Sequence, residues 1–153
     1  MGFSVSGSAA LIFIGLFIAF GMWQTAASNS FERVTEAQND RADAALERTN
    51  TAIDIRTSSY TTKDHNNRTW YLIDLAVRNT GSNGLSVERT DILLDNEYMD
   101  GWETEATVDG DAATDLWLPH ERLFVEFNES TEPSHVKVAT ETGVSGSAEV
   151  SVS

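Results

Sequence analysis

The spacing of hydrophobic residues changes twice along this chain. No charged residue occurs from Phe3 to Ala27, and Leu11–Phe20 is almost wholly apolar. In residues 28–50, small and apolar side chains recur every three or four positions, which is the spacing of one helix face. From Thr51 onward apolar and polar residues alternate, which is the period of a β-strand. The pattern predicts a membrane-spanning helix over 1–27, a helical stalk over 28–50 and a β domain over 51–153.

The uncharged first segment is long enough to cross a membrane. As a helix it extends about 37 Å, and the hydrocarbon core of a bilayer is about 30 Å thick. Trp23 suits the membrane–water interface near the far end of the span. A cleaved signal peptide normally begins with basic residues, and none precedes the apolar run, although Thr25-Ala26-Ala27 would suit a peptidase and keeps cleavage open as the alternative. We interpret the segment as an uncleaved anchor.

Orientation has to be inferred from the residues that follow the span. Residues 32–43 carry more acidic than basic side chains, so the positive-inside rule gives no reason to keep them in the cytoplasm. Two acceptor sequons, Asn67-Arg68-Thr69 and Asn128-Glu129-Ser130, predict N-glycosylation at Asn67 and Asn128. Together these features predict a cytoplasmic N-terminus and an exported β domain.

Both helical segments carry features that permit self-association. Gly15 and Ala19 place small residues one turn apart in the membrane segment, which allows a second helix to approach closely. We therefore predict a helix-packing site at Gly15 and Ala19. The stripe along the stalk is mostly small or polar, whereas a strong coiled-coil seam would carry Leu, Ile or Val. A solvated stalk is the simpler interpretation, and a homo-oligomer is its alternative.

Several short strands are predicted in the last hundred residues. Tyr71, Ile73, Leu75 and Val77 share one face of a strand, and the same alternation recurs at residues 122–127, 136–138 and 147–152. Shorter candidates are Ala52–Thr57, Leu85–Leu94 and Tyr98–Glu105. Turn signals separate them, such as Asn79-Thr80-Gly81 and Asp109-Gly110. About seven short strands over this length predict an antiparallel β-sandwich of immunoglobulin-like size. The fold class is therefore mainly β, with an N-terminal transmembrane helix and stalk.

Composition narrows the classes of function. The chain has 24 acidic and 10 basic residues, a net charge of −14, and no cysteine. Disulfides and thiolate metal sites are thereby excluded, and a basic footprint for nucleic acid is absent. Aromatic residues and patterned apolar positions argue against a disordered acidic chain. We interpret the acidity as adaptation to concentrated salt.

No constellation of residues predicts catalysis. The three histidines, His65, His120 and His135, have no spacing that would place two on one face as a metal pair. No nucleophile elbow, phosphate loop or dinucleotide fingerprint occurs. The segment VDGDAATD (residues 108–115) superficially resembles a calcium loop, but it lacks the third alternating oxygen ligand and the bidentate Glu of one, so we predict a solvated acidic turn. The expectation is a protein without enzyme activity, cofactor or metal.

One group of aromatic residues has two interpretations. Tyr98, Trp102 and Trp117 occur where the alternation is weakest, among acidic residues. Aromatic anchors ringed by polar groups are typical of a partner-binding surface, and we predict one here. The alternative is that the rings close one end of the hydrophobic core, as aromatic residues in small β domains usually do.

Residues 1–38, MGFSVSGSAALIFIGLFIAFGMWQTAASNSFERVTEAQ, resemble the N-terminus of the haloarchaeal FlaF (ArlF) family of archaellum accessory proteins. WYLIDLAVRNTGSNGLSVERTDILLDNEYM, LPHERLFVEF and VKVATETGVSGSAEVSV resemble the body of the same family. The resemblance implies one membrane helix and an immunoglobulin-like sandwich beneath the S-layer. It also implies that the protein anchors the stator of the archaellum motor to S-layer protein, beside the sister protein FlaG (ArlG) and in contact with membrane lipid through its helix.

A filament subunit is the competing interpretation. Type IV pilin-like proteins and archaellins also join an apolar helix to a β head. Their precursors carry a basic residue and then Gly or Ala before the cleaved helix, whereas Phe3-Ser4-Val5-Ser6 precede Gly7 here. The residues therefore favour the accessory protein.

Overall fold

The computed structural model describes residues 3–65 and 68–153, which form one long helix followed by eleven strands. The elements are α1 (Phe3–Asn50), β1 (Ile53–His65), β2 (Arg68–Asn79), β3 (Leu85–Ser86), β4 (Asp91–Leu94), β5 (Glu97–Tyr98), a 3-10 turn (Trp102–Glu105), β6 (Ala106–Val108), β7 (Leu116–Trp117), β8 (Arg122–Glu129), β9 (His135–Ala139), β10 (Ser145–Glu149) and β11 (Ser151–Val152).

Helix α1 spans the described residues of both predicted helical segments and ends at Asn50. Hydroxyls along it donate to the carbonyl four residues earlier, as Thr25 does to Gly21 at 3.0 Å, so polar residues do not interrupt the helix. By length and composition this helix could cross a membrane. Contacts divide the chain into two compact units, residues 1–43 and 44–153, so the last residues of α1 belong with the β domain.

The strands form two main antiparallel sheets. One has the order β11-β1-β2-β8-β6 and the other β10-β9-β4-β5, while β3 and β7 form a separate short pair. Among the described strands, β11 and β1 pair in parallel and the other pairings are antiparallel. The prediction of a helix followed by an antiparallel β-sandwich is confirmed.

Alternation along the strands builds the core. Ile73, Leu75 and Val77 of β2 point inward and are buried. On β8, inward residues alternate strictly with exposed ones, and Val136 and Val138 of β9 close the core from the second sheet. Burying such side chains contributes about 1.5–3 kcal/mol each, so the predicted inward faces carry most of the stabilisation.

Three of the predicted strands are different in the structure. The segment 147–152 is split at Val150, because the chain leaves the second sheet there and Ser151 joins β1 of the first. As a result Val152 is exposed. The predicted strand Leu85–Leu94 is two strands, β3 and β4. The predicted strand Tyr98–Glu105 is the end of β5 followed by a 3-10 turn.

Candidate functional site

The loop between β2 and β3 lies against the C-terminal end of α1. The last carbonyls of a helix have no donor within the helix, and this loop supplies donors to them. The backbone amides of Ser82 and Asn83 donate to the carbonyl oxygen of Asn50 at 2.8 and 3.3 Å. The side-chain amide of Asn83 donates to the carbonyl oxygen of Glu47 at 3.4 Å. We call this contact between residues 47–52 and residues 79–83 the junction.

Gly81 lets the two backbones of the junction approach closely. The amides of Thr80 and Gly81 donate to the carbonyl oxygen of Ala52 at 2.8 and 2.9 Å. A Cβ atom built on Gly81 would lie 2.5 Å from the carbonyl oxygen of Asn50 and 2.6 Å from the nitrogen of Ala52. Both are main-chain atoms that cannot rotate away, so the position requires glycine because of its small size.

Asn79 holds the loop in this shape from inside the domain. Its side chain is fully buried, and its amide nitrogen donates to the carbonyl oxygens of Asn83 at 2.8 Å and Trp117 at 3.1 Å. Its side-chain oxygen accepts from the amide of Gly81 at 3.0 Å. A buried side-chain amide with these partners specifies one loop conformation, so the junction is connected to the core of the sandwich.

A second loop of the sandwich also contacts the helix end. The Arg48 guanidinium donates through Nε to the carbonyl oxygen of Thr142 at 2.9 Å, in the turn between β9 and β10. Residues 44–50 thus have fixed contacts with two loops of the sandwich. This arrangement can transmit force between helix and sandwich, because a load on one is carried by several backbone contacts at once.

The predicted aromatic surface is mostly interior. Trp102 and Trp117 are 2% and 0% exposed and belong to the hydrophobic core, so they do not fit a partner-binding surface and the core alternative describes them. The indole N–H of Trp117 donates to the carbonyl oxygen of Glu121 at 3.0 Å. Tyr98 is 53% exposed and is the only one of the three that can meet a partner.

The surroundings of Tyr98 are acidic. Partial desolvation, followed by the nearby carboxylates of Asp91, Glu103 and Asp100, raises the pKa of its phenol. The ring therefore stays neutral over the physiological pH range, and a partner would meet an uncharged aromatic ring among carboxylates. Partner binding by Tyr98 stays a prediction.

The remaining predicted sites are the helix-packing positions and the two glycosylation sequons. Gly15 and Ala19 lie on α1, and a Cβ atom built on Gly15 would meet no atom within 4 Å, so a second helix would find that position open. Asn128 is exposed on the outer side of β8, where its sequon is accessible. Asn67 lies outside the described residues. Helix packing and glycosylation remain predictions.

One cluster combines the residue types of a catalytic triad, but its hydrogen bonds differ from those of a triad. The Ser134 hydroxyl donates to the Asp95 carboxylate at 2.5 Å, and the His135 ring nitrogen Nδ1 lies 3.2 Å from the same hydroxyl. In a triad the histidine takes the proton of the serine, and the aspartate orients the histidine. Here the serine is already bound to the carboxylate. The Asp95 carboxylate also accepts from the backbone amides of Ser134 and His135, so the cluster fastens β9 to the hairpin turn between β4 and β5.

The acidic segment 108–115 contains a hairpin turn. Val108 and Asp111 exchange backbone hydrogen bonds of 2.9 Å around Asp109 and Gly110, both with positive φ, as in a two-residue hairpin loop. Among the side chains that the structure describes, no three His, Asp or Glu residues are arranged to hold a metal ion.

The Asp95 cluster predicts a pH dependence. The hydrogen bond from Ser134, together with those from the backbone amides, lowers the pKa of Asp95. A carboxylate with a lowered folded-state pKa contributes stability above its ordinary pKa of about 3.9, and the contribution is lost as pH falls through the folded-state value. We expect Asp95→Asn to reduce the free energy of unfolding by about 1 kcal/mol at pH 7, since the group is exposed to water. Denaturant unfolding at pH 7 and pH 3 should show this difference shrinking at pH 3, and a difference independent of pH would contradict the role of the charge.

Comparison with known proteins gives one strong match. A family model described as archaeal-type flagellin matches residues 2–150. No curated protein sequence matches the chain. Among solved structures, the Bacillus subtilis protein ycdA matches with 14% identity over 65% of this chain and 35% of its own length, with a TM-score of 0.34. The chain spans about a third of the length of that protein, and the likeness carries no argument about function.

Proposed function

The chain belongs to the archaeal-type flagellin family, and we propose that it is a non-enzymatic, membrane-anchored protein that links the stator of the archaellum motor to the S-layer. Family membership makes it an archaellum-related structural protein. FlaF belongs to this family, so the resemblance seen in the sequence is confirmed at the level of the family.

The proposal rests on one observation: a single helix connects the apolar segment to the sandwich. α1 runs from Phe3 to Asn50 as one helix, and no glycine or proline occurs between Gly21 and Gly81. A Gly/Ser-rich linker would behave as a flexible coil, whereas this chain enters its β domain through a helix whose end is fixed at the junction. A tether that bears load benefits from this construction, and a freely diffusing binding module does not need it.

The proposed topology places the N-terminus in the cytoplasm and the sandwich outside, beneath the S-layer. The residues after the apolar segment support this orientation, because residues 32–43 carry more acidic than basic side chains and the positive-inside rule gives no reason to keep them in the cytoplasm. The proposed partners are S-layer protein for the sandwich, FlaG (ArlG) beside it, and membrane lipid around α1. Adaptation to concentrated salt is part of the same proposal.

The proposal is tested by separating the two attachments. In a non-motile strain lacking the protein, the full chain should restore swimming, and S-layer protein should co-purify with it from solubilised membranes. An exported fragment beginning at Ala44, which keeps the junction, should bind isolated S-layer sheets without restoring swimming, because force has no route to the membrane. Restoration of swimming by the fragment alone would refute the tether.

A matched chimera tests the anchor. An unrelated membrane helix in place of residues 3–27 should restore swimming if the native helix only anchors the chain. Failure of that chimera, when it is present in membranes at the normal level, would indicate specific packing at Gly15 and Ala19.

A filament subunit is the second candidate, because the family is described as archaeal-type flagellin. Purified archaella and membranes distinguish the two. An accessory protein should fractionate with membranes and keep its N-terminal residues in an intact-mass measurement. A filament subunit should be found in sheared filaments with those residues removed.

A further inference from the structure

The hairpin of β1 and β2 extends beyond the strands beside it. β11 pairs with β1 only at Ser59 and Tyr60, and β8 pairs with β2 from Tyr71 onward. Residues 61–65 and 68–70 therefore form a two-stranded ribbon whose outer edges have no neighbouring strand in the described part of the chain. This ribbon lies at the end of β1 remote from the junction, roughly 30 Å along the strand at 3.3 Å per residue.

Three functional groups share one face of the ribbon. Lys63 lies directly opposite Trp70 in the register, so the two side chains are on the same face. Arg68 is two residues before Trp70 and lies on that face as well. The carboxylate of the ribbon, Asp64, is on the other face, where it accepts a hydrogen bond of 2.9 Å from the Thr69 hydroxyl.

This face carries two basic side chains in a chain that is mostly acidic. Acidic residues outnumber basic ones by 24 to 10, and Arg56, Arg89 and Arg122 each lie beside a carboxylate. Among the described residues, neither Lys63 nor Arg68 has a carboxylate oxygen within 4.0 Å. Both are exposed, and Trp70, which neighbours each of them on this face, is 36% exposed. Two cations without a carboxylate partner among the described residues therefore lie beside an exposed indole.

We infer that the face formed by Lys63, Arg68 and Trp70 binds an acidic protein surface. Arginine forms paired hydrogen bonds with carboxylates, lysine adds a second charge, and tryptophan and arginine are enriched among residues that dominate binding energy. At high ionic strength such a site works by direct contact, because charges separated by more than about 3 Å are screened at 1 M salt. The inference rests on the proposed function only in naming S-layer protein as the bearer of the carboxylates.

A lipid surface fits this face less well than a protein surface. Each cation gains only about 1 kcal/mol at an anionic membrane, and a chain of net charge −14 would be repelled by the same surface. A protein partner can present carboxylates to the ribbon alone and avoid the acidic remainder of the domain.

The test uses the full chain in detergent micelles with three immobilised probes: isolated S-layer sheets, poly-L-glutamate and phosphatidylglycerol vesicles. The variants are Lys63→Glu, Arg68→Glu, the double variant and Trp70→Ala. Lys137→Glu is the matched control, since Lys137 is an exposed lysine of β9 that also lacks a carboxylate within 4.0 Å among the described residues. Thermal melts of each variant exclude loss of folding.

We expect the double variant to bind S-layer sheets and poly-L-glutamate at least tenfold more weakly, and Trp70→Ala to weaken sheet binding by several-fold. Lys137→Glu should change binding less than twofold. Equal losses for Lys137→Glu and the double variant would overturn the inference, and so would vesicle binding that depends on the same residues. If the sheets bind but the ribbon variants have no effect, the inference fails while the proposed function stands. If poly-L-glutamate binds through the ribbon but the sheets do not, the proposed function fails and the acidic-surface site stands.

Discussion

Replacing Trp117 with alanine is expected to lower the free energy of unfolding by about 3–5 kcal/mol. The ring is completely buried, and its indole N–H donates to the carbonyl oxygen of Glu121 at 3.0 Å. Truncation would leave a cavity and remove one of the two donors to that carbonyl, the other being the backbone amide of Asn79 at 3.1 Å. A loss of this size is a large part of the stability of a small domain. Denaturant unfolding, followed by far-ultraviolet circular dichroism, measures it.

Tyr98→Ala is the matched control because Tyr98 belongs to the same predicted group and is half exposed. We expect it to change the free energy of unfolding by less than about 1 kcal/mol. Weakened binding to S-layer sheets with normal stability would support Tyr98 as a contact residue. Equal and small losses of stability for both variants would contradict the burial of Trp117.

The two tryptophans show which part of this fold a one-dimensional pattern cannot predict. Where inward and outward positions alternate regularly, as in β2 and β8, the sequence predicts the core residues directly. Around Trp102 the backbone forms a 3-10 turn, so the period of two is lost and neighbouring Asp and Glu residues make the segment look exposed. Whether a ring there packs inward depends on the opposite sheet, which the local pattern does not encode.

The junction was partly predictable. The sequence predicted a turn at Asn79-Thr80-Gly81. It did not predict that this turn contacts the end of a helix some thirty residues earlier in the chain. One signal was present, because helices often end with a glycine that satisfies their last carbonyls, and Asn50 is followed by Thr51-Ala52. Thr51 donates to the carbonyls of Arg48 and Glu47 through its amide and hydroxyl, whereas the carbonyl of Asn50 takes its donors from the loop. The face shared by Lys63, Arg68 and Trp70 likewise depends on the register of β1 and β2, which residue types alone do not specify.

We expect Gly81→Ala to lower the stability of the domain more than an alanine substitution at the other glycines of the sandwich, because its Cβ atom would meet the closest neighbours. A Cβ atom at this position would lie 2.5 Å from the carbonyl oxygen of Asn50, so the loop must move away from the helix end. Overpacking of this kind costs about 1–3 kcal/mol, and each lost hydrogen bond adds about 1 kcal/mol. We expect a total loss of about 2–4 kcal/mol, together with faster hydrogen exchange at the amides of Ser82 and Asn83.

Gly146→Ala in β10 separates this effect from the general cost of replacing glycine. Its Cβ atom would meet its nearest neighbours, side-chain atoms of Ile53 and Ile55, at 3.8 Å, so we expect a change below about 1 kcal/mol. If the junction transmits force, cells carrying Gly81→Ala should contain the protein in their membranes and swim poorly, whereas Gly146→Ala cells should swim normally. Normal swimming with a demonstrably loosened junction would mean that anchoring alone suffices and that a flexible tether performs the same function. If Gly81→Ala leaves the hydrogen-exchange protection of the Ser82 and Asn83 amides unchanged, the close contact between this loop and the helix end is contradicted. Force transmission through the junction depends on that contact.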